Sequence, residues 1–203
     1  MARRLPRSFY SRPATEVAPA MLGQTLVRSM PDGARLSGRI VEAEAYMPGD
    51  PASHAFRGET PRNMVMFGEP GLLYVYFTYG NHWMMNVVTG EEGEGTAVLM
   101  RAAEPLEGIE RMRANRGRDG LRDLCSGPGK LARAFGATGA ENGEDLVAGD
   151  RLWIEHAPRI ATSHVATGPR VGVSVGYEQR WRFWIRDDPF VSKGRPGPLT
   201  RRR

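Results

Sequence analysis

The chain has 203 residues and a mass of 22.4 kDa, which suits one compact domain with a sizeable core. Its single cysteine, Cys125, excludes a disulfide framework and a paired-cysteine zinc site, and the basic N-terminus MARRLPRSFY leads into no apolar run of the signal-peptide kind. No stretch is apolar enough to span a bilayer, so a cytoplasmic protein is expected; the net charge of +5, carried by arginine with lysine only at Lys130 and Lys193, is compatible with a polyanionic partner but is a weak pointer by itself.

In chain order, Pro13 to Leu22 reads as a short helix with Thr15 as its cap and Gly23 as its stop. Residues 24–30 and 35–46 read as the two strands of a hairpin around Pro31, Asp32 and Gly33. The second strand contains RIVEAEAY, Arg39 to Tyr46. A period of two sends Val41, Ala43 and Ala45 to one face and Glu42, Glu44 and Tyr46 to the other. Acidic residues are poor strand formers, so two of them flanking one alanine suggest a face with a task, although a solvated face reads much the same. Residues 47–60 read as a loop of the kind that carries functional groups, and Pro61 to Phe67 as a helical turn. LLYVYFTY at 72–79 is the most strand-like run, Gly80 and Asn81 mark a turn, and further strands are expected at 83–88 and 96–103. Pro105 to Arg116 reads as a basic amphipathic helix. The last third is glycine-rich, with strands expected at 151–155 and 181–186. Residues 1–13 read as a basic extension, 14–192 as one domain without internal repeats, and KGRPGPLTRRR at 193–203 as a basic tail of disorder-prone composition.

The tyrosines divide by position. Tyr74, Val75 and Phe77 read as aromatic and apolar core, whereas Tyr79, beside the turn, is placed to enter a groove or stack on a base. A two-residue turn at Gly80 and Asn81 pairs Tyr76 with Met85 and sends Asn86 to the opposite face. A site shared by Tyr76 and Asn86 therefore requires a bulge or a longer loop.

Several chemistries are excluded by spacing. GPGK at 127–130 is followed by leucine and has the wrong glycine pattern for a nucleotide-binding P-loop, and the acidic GEEGEG at 90–95 repels phosphate. Zinc deaminases need paired cysteines, which this chain lacks. Chemistry through a lysine amine nucleophile finds no support, because the only internal lysine, Lys130, falls in what reads as a glycine-rich loop.

RIVEAEAY, SHAFRGETPRNMVMF, YVYFTYGNHWMMN, VLMRAAEPLEG and LCSGPGKLARAF occur here in the order seen in alkyladenine DNA glycosylases of the 3-methyladenine type. The chain resembles a bacterial member of that family from about Ala14 to the RWRFW at Arg180–Trp184. The resemblance implies an α+β fold, a single compact domain with a curved, mainly antiparallel sheet, peripheral helices and a protruding β-hairpin. It implies a nucleoid-associated enzyme without metal or cofactor, whose partner is double-stranded DNA containing damaged purines. Nicking the backbone as well needs an amine nucleophile, so with Lys130 the only internal lysine a monofunctional enzyme is expected, and the lack of an obvious oligomerisation surface suggests a monomer. Candidate lesions are 3-methyladenine, 7-methylguanine, hypoxanthine and ethenoadenine. Residue by residue, Glu44 matches the general base and Glu42 a less critical acid. Tyr46, His54 and Tyr76 match the pocket of the flipped base, and Asn86 matches the residue that checks the purine edge. Tyr79 matches the residue that fills the gap left in the duplex. Arg101 matches a residue near the flipped nucleotide's phosphate, Arg62 and Lys130 fit backbone contacts, and Met66 resembles a groove-lining residue. The departures from the family pattern lie in the loop from Met47 to Ser53 and at Asn81 to Trp83. The competing reading is a non-catalytic nucleic-acid-binding module of the same fold; Glu44, Tyr46, His54, Tyr79 and Asn86 together favour the enzyme.

Overall fold

The computed structural model describes residues 3–78 and 80–194. Eight strands among them form one antiparallel sheet: β1 (Thr25–Ser29), β2 (Arg35–Tyr46), β3 (Leu73–Thr78), β4 (His82–Thr89), β5 (Thr96–Glu107), β6 (Leu152–Glu155), β7 (Val165–Gly168) and β8 (Arg182–Ile185). Their order is β3–β4–β5–β2–β1–β6, with β8 beside the second half of β2 and β7 outside β8. The length of β2 explains the fork. Residues 35–39 pair with β1 and residues 42–44 with β8, while β5 runs along the other edge of the same strand.

Extra residues on both long strands curl this sheet into a half-barrel. Ile40 faces Ala103 and Glu42 faces Ala102, so Val41 is a bulged residue on β2. Ala43 then faces Met100, which leaves Arg101 as a bulged residue on β5. Passing Val41, the side chains of β2 that reach the main core change from Leu36 and Ile40 to Ala43 and Ala45. Without the bulge, Glu42 and Glu44 would share the face of Leu36 and Ile40 inside the apolar core.

Five short helices lie around the sheet: α1 (Arg7–Tyr10), α2 (Ala14–Met21), α3 (Ile109–Arg116), α4 (Leu121–Leu124) and α5 (Pro128–Ala134). α2 packs on β2, and α5 packs on β4 and β5. Val17, Met21, Leu26, Leu36, Ile40, Met85, Met100, Leu131 and Phe135 are fully buried in the resulting core. Each of the larger ones contributes about 1.5–3 kcal/mol by leaving water. The segment before Ala14 joins this core through Leu5 and Tyr10, both buried, and Arg4 bridges to Glu155 on β6.

Most expected elements recur within a residue or two, α1 and α4 are additional, and the following differ. α2 starts as expected, but Pro13 holds its N-cap position and Thr15 makes no capping bond. The expected helix at Pro105–Arg116 is half strand: β5 continues through Glu107, tolerating Pro105 beside the bulge at Leu106, and Gly108, at φ +71°, turns the chain into α3. GPGK is the entry to α5, with Pro128 at the first helical position and Lys130 on the first turn. β7 fell within the glycine-rich last third and was not anticipated.

Candidate active site

One row of directly opposed residues crosses five strands: Tyr74 on β3, Asn86 on β4, Leu99 on β5, Glu44 on β2 and Arg182 on β8. Opposed residues share a sheet face, and this row points away from the Ala43, Met85 and Met100 side that α2 and α5 cover. Three residues, 79–81, separate the paired ends Thr78 and His82. Tyr76 therefore faces Met84, and Tyr76 and Asn86 fall on one side of the sheet without a bulge in the hairpin.

The acidic end of the row is a balanced cluster of two carboxylates and two guanidiniums, all essentially buried. Glu42 Oε1 accepts from Arg101 Nε at 2.8 Å, Arg182 Nε at 2.7 Å and Ser192 Oγ at 3.0 Å, while its Oε2 accepts from the Ser192 N–H at 2.8 Å. Burial opposes charge on Glu42, but Arg101 and Arg182 outweigh it and hold the carboxyl below its ordinary range. Glu44 Oε1 accepts from the Val171 N–H at 2.7 Å and lies 3.3 Å from Arg101 Nη1; its Oε2 accepts from the Tyr46 hydroxyl at 3.0 Å. Burial, and then the neighbouring Glu44 charge, raise the Tyr46 phenol well above its ordinary value, which keeps it a donor. A carboxylate offers about four lone-pair sites, so these two hydrogen bonds and the Arg101 ion pair leave Glu44 room to accept another donor.

Beside this cluster opens a pocket of about 360 Å3, in the size range of small-molecule sites. Tyr46, Arg101 and Val171, the three partners of Glu44, form one part of its wall, and His54, Tyr74, Tyr76 and Asn86 another. The rings of Tyr74 and Tyr76 stack at 5.4 Å, and His54 stands edge-on to Tyr76 at 4.3 Å. His54 Nδ1 lies 3.0 Å from the Tyr74 hydroxyl, and Asn86 Nδ2 donates to the Tyr74 carbonyl at 3.2 Å. Burial and the charge of Arg62 lower the His54 pKa, favouring the neutral ring. Met66 is buried in the same wall.

The structure brings Glu44, Tyr46, His54, Met66, Tyr76, Asn86 and Arg101 to one place, with two reassignments. Tyr74 is buried, as expected, in a small apolar cluster with Met66, Val88 and Ala97, and it also lines the pocket, where burial raises its hydroxyl to about 12; Phe77, expected in the core, is 44% exposed and packs on Trp83. Arg101 was expected near a phosphate. Its Nε, Nη1 and Nη2 are engaged with Glu42, Glu44 and Ser192, so it holds the two acids and presents no free fork. Arg62 is exposed and donates to the Phe77 carbonyl at 3.3 Å, and Lys130 lies 3.8 Å from Asp123 and 3.4 Å from Ser126 Oγ. Neither lines the pocket. Tyr79 lies outside the described residues, as do residues 1–2 and 195–203 of the basic ends.

Arg170, Asp50, Arg182 and Ser192 were missed. For Arg182 a signal was available: an arginine between Trp181 and Phe183 in a strand with aromatic neighbours must find a buried partner. Arg170, in the apolar run PRVGV, carries the same signature.

The profile of the methylpurine-DNA glycosylase family matches residues 8–189. Among curated relatives, a protein of Chlorobaculum tepidum is 46% identical over 99% of this chain and 96% of its own length. One of Burkholderia lata is 50% identical over 98% and 93%, and one of Rhodopseudomonas palustris 49% over 94% and 91%. All three bear the provisional name 3-methyladenine DNA glycosylase. Among the described residues no helix is long and apolar enough to cross a membrane. With nine-tenths of its length matched and near-full-length relatives at almost half identity, the chain belongs to the methylpurine-DNA glycosylase family.

Proposed function

We propose that this protein is a monofunctional DNA glycosylase of base excision repair, which takes alkylated or deaminated purines turned out of duplex DNA and hydrolyses their N-glycosidic bond, leaving an abasic site. The observation that carries this reading is Glu44: a buried carboxylate held by two hydrogen bonds and an ion pair from residues that are themselves pocket walls, with an acceptor position left. A water in that position is oriented and deprotonated by Glu44 as its oxygen bonds to C1′. The C1′–N bond breaks with its electron pair leaving on the base, and the carboxylate also stabilises positive charge that develops on the sugar. Arg101 and the Val171 N–H keep the acid aimed. Glu42, committed to Arg101, Arg182 and Ser192, serves as their counter-charge and takes no proton.

The rest of the pocket is suited to a purine. Tyr46, Tyr74, Tyr76 and His54 offer electron-rich faces, which attract the positive charge of an alkylated purine. A neutral His54 avoids repelling that charge. Asn86 presents a carboxamide to the edge of the base, where it discriminates against the exocyclic amine of normal guanine. Arg62 and Lys130 are assigned to the DNA backbone and Tyr79 to the gap in the duplex, on the family resemblance. Hydrolysis without strand cleavage accords with Lys130, the only lysine before Lys193, being engaged with Asp123 and Ser126 rather than lining the pocket.

The test is single-turnover excision from duplexes carrying one hypoxanthine, ethenoadenine or alkylated purine, for wild type and Glu44→Gln. Wild type is expected to release a damaged base, and Glu44→Gln to bind the duplex but lose about 10²- to 10⁴-fold in rate, the range for a positioned general base. A wild-type protein that binds these duplexes and cleaves none is a binding module, and the role given to Glu44 is then wrong.

A further inference from the structure

Three segments that build the site converge on a side chain that the proposed reaction does not use. Arg170 is fully buried between β7 and β8 in sequence. Its Nη1 donates to the Ala45 carbonyl at 3.1 Å and to Asp50 Oδ2, and its Nη2 to Asp50 Oδ1 at 2.9 Å and the Gly176 carbonyl at 3.0 Å. The guanidinium also packs on two rings, 4.7 Å from the centre of Tyr46 and 5.2 Å from that of Trp181.

Each contact leads to the site. Ala45 lies between Glu44 and Tyr46 on β2. Asp50 belongs to the loop that delivers Ala52 and His54 to the pocket wall, and its Oδ1 accepts from the Ala52 N–H at 3.0 Å. Val171, the next residue after Arg170, donates its N–H to Glu44 and begins the Val171–Val173 wall. Gly176 has φ +59°, and a Cβ there would come within 3.1 Å of both Arg170 Nη2 and Asp50 Oδ1, so the turn at 176 fits around the ion pair.

A buried ion pair adds little net stability compared with apolar side chains of the same volume, because both charges must be stripped of water. What this pair adds is direction. A planar fork with two fixed edges determines the relative placement of three backbone segments more narrowly than apolar packing does. We propose that Arg170 and Asp50 are a positioning pair that holds the Val171 N–H and the Tyr46 ring where they fix the Glu44 carboxylate. The proposal rests on Glu44 being the general base.

The experiment measures two quantities on each variant: the single-turnover excision constant at saturating enzyme on a lesion duplex, and the Kd for a duplex carrying a tetrahydrofuran abasic-site analogue. Asp50→Asn/Arg170→Met removes both charges at similar volume, so no lone charge stays buried. The excision constant is expected to fall about 10- to 100-fold, the scale of a misplaced catalytic geometry, with Kd and thermal midpoint little changed. Arg170→Lys keeps a charge opposite Asp50 but forfeits the fork, and is expected to lose excision in the same direction by a smaller factor. It decides the matter alone if the double variant does not fold. A wild-type excision constant in a folded variant, or a loss that only tracks the folded fraction, overturns the proposal. If wild type excises no lesion, the functional reading itself fails; if wild type is active, Glu44→Gln is inactive and the Arg170 variants match wild type, only the positioning role falls.

Discussion

Replacing Glu42 with glutamine is expected to destabilise the protein strongly while barely changing its shape. The cluster holds two negative and two positive charges: Glu42 and Glu44 against Arg101 and Arg182, with side-chain exposures of 0%, 0%, 6% and 7%. Glu42→Gln leaves one guanidinium charge in excess in a buried site, a change that costs about 3–5 kcal/mol when one partner of a buried pair is removed. The hydrogen bonds change in the same direction. The two arginine bonds at 2.7 and 2.8 Å lose the charge on their acceptor, and the Ser192 N–H now meets an amide donor, which leaves a buried donor unsatisfied at a cost of about 1–3 kcal/mol. Against a total stability of about 5–15 kcal/mol this is a large fraction. At about 2–4 °C per kcal/mol for a domain of this size, the thermal midpoint should drop by about 6–20 °C in calorimetry or circular dichroism. Glu42→Gln/Arg182→Met restores charge balance and should recover at least half of the loss. The Glu42 pKa is depressed in the folded state, so its contribution is present above the ordinary value of about 4.3 and is lost as pH falls through the lower folded value; the variant lacks that acid limb. A midpoint shift under about 2 °C for Glu42→Gln would refute the balanced-cluster argument.

Two further outcomes follow from other buried groups. Burial and Arg62 depress the His54 pKa, so this imidazole is neutral at pH 7 and contributes stability above its ordinary value of about 6.5 that is lost as pH falls through the depressed folded value. Excision of cationic 7-methylguanine, relative to neutral hypoxanthine, should decline over that same acid range and lose this decline in His54→Gln; a ratio independent of pH contradicts the pocket electrostatics. Cys125 is buried and its thiol is pushed up to about 12 by loss of hydration, so a thiol reagent at pH 8 should label the protein only as it unfolds, and stoichiometric labelling of the native state shows the core to be more open than described.

Where the chain announced its structure, local chemistry and tertiary packing agreed. The hairpin at 24–46, the strand found at Leu73–Thr78 and the short helix before Gly23 carry turn residues or periodicity that the fold left unchanged. The errors came where register or a distant segment decides. Phe77 read as core because alternating apolar and aromatic residues do not say where a strand leaves the core; burial along β3 ends before Phe77, which packs on Trp83 instead. The helix expected from Pro105 was an honest local signal overridden by β2, whose twelve residues provide a partner for β5 as far as Glu107. The partners of Glu42 could not be read locally at all. Arg101, Arg182 and Ser192 stand 59, 140 and 150 residues away, and only the closed sheet brings them together.

The two carboxylates make the same point about how the site is made. RIVEAEAY predicts that Glu42 and Glu44 share a face, and they do, yet period two carried from Leu36 would bury that face in the apolar core. The extra residue at Val41 reverses the phase, and the extra residue at Arg101 on the neighbouring strand places a guanidinium opposite the acids it must neutralise. Neither bulge helps the sheet as a sheet, since each interrupts a ladder. Both are accounted for by the charges, because a buried acid without its cation would be ionised only at great cost. Deleting Val41 should therefore remove the bulge without exchanging faces: Glu42 then follows Ile40 directly opposite Ala102, Ala43 still faces Met100 and Glu44 still faces Leu99, so the acids stay on the pocket side and only the local bend and twist of β2 are lost.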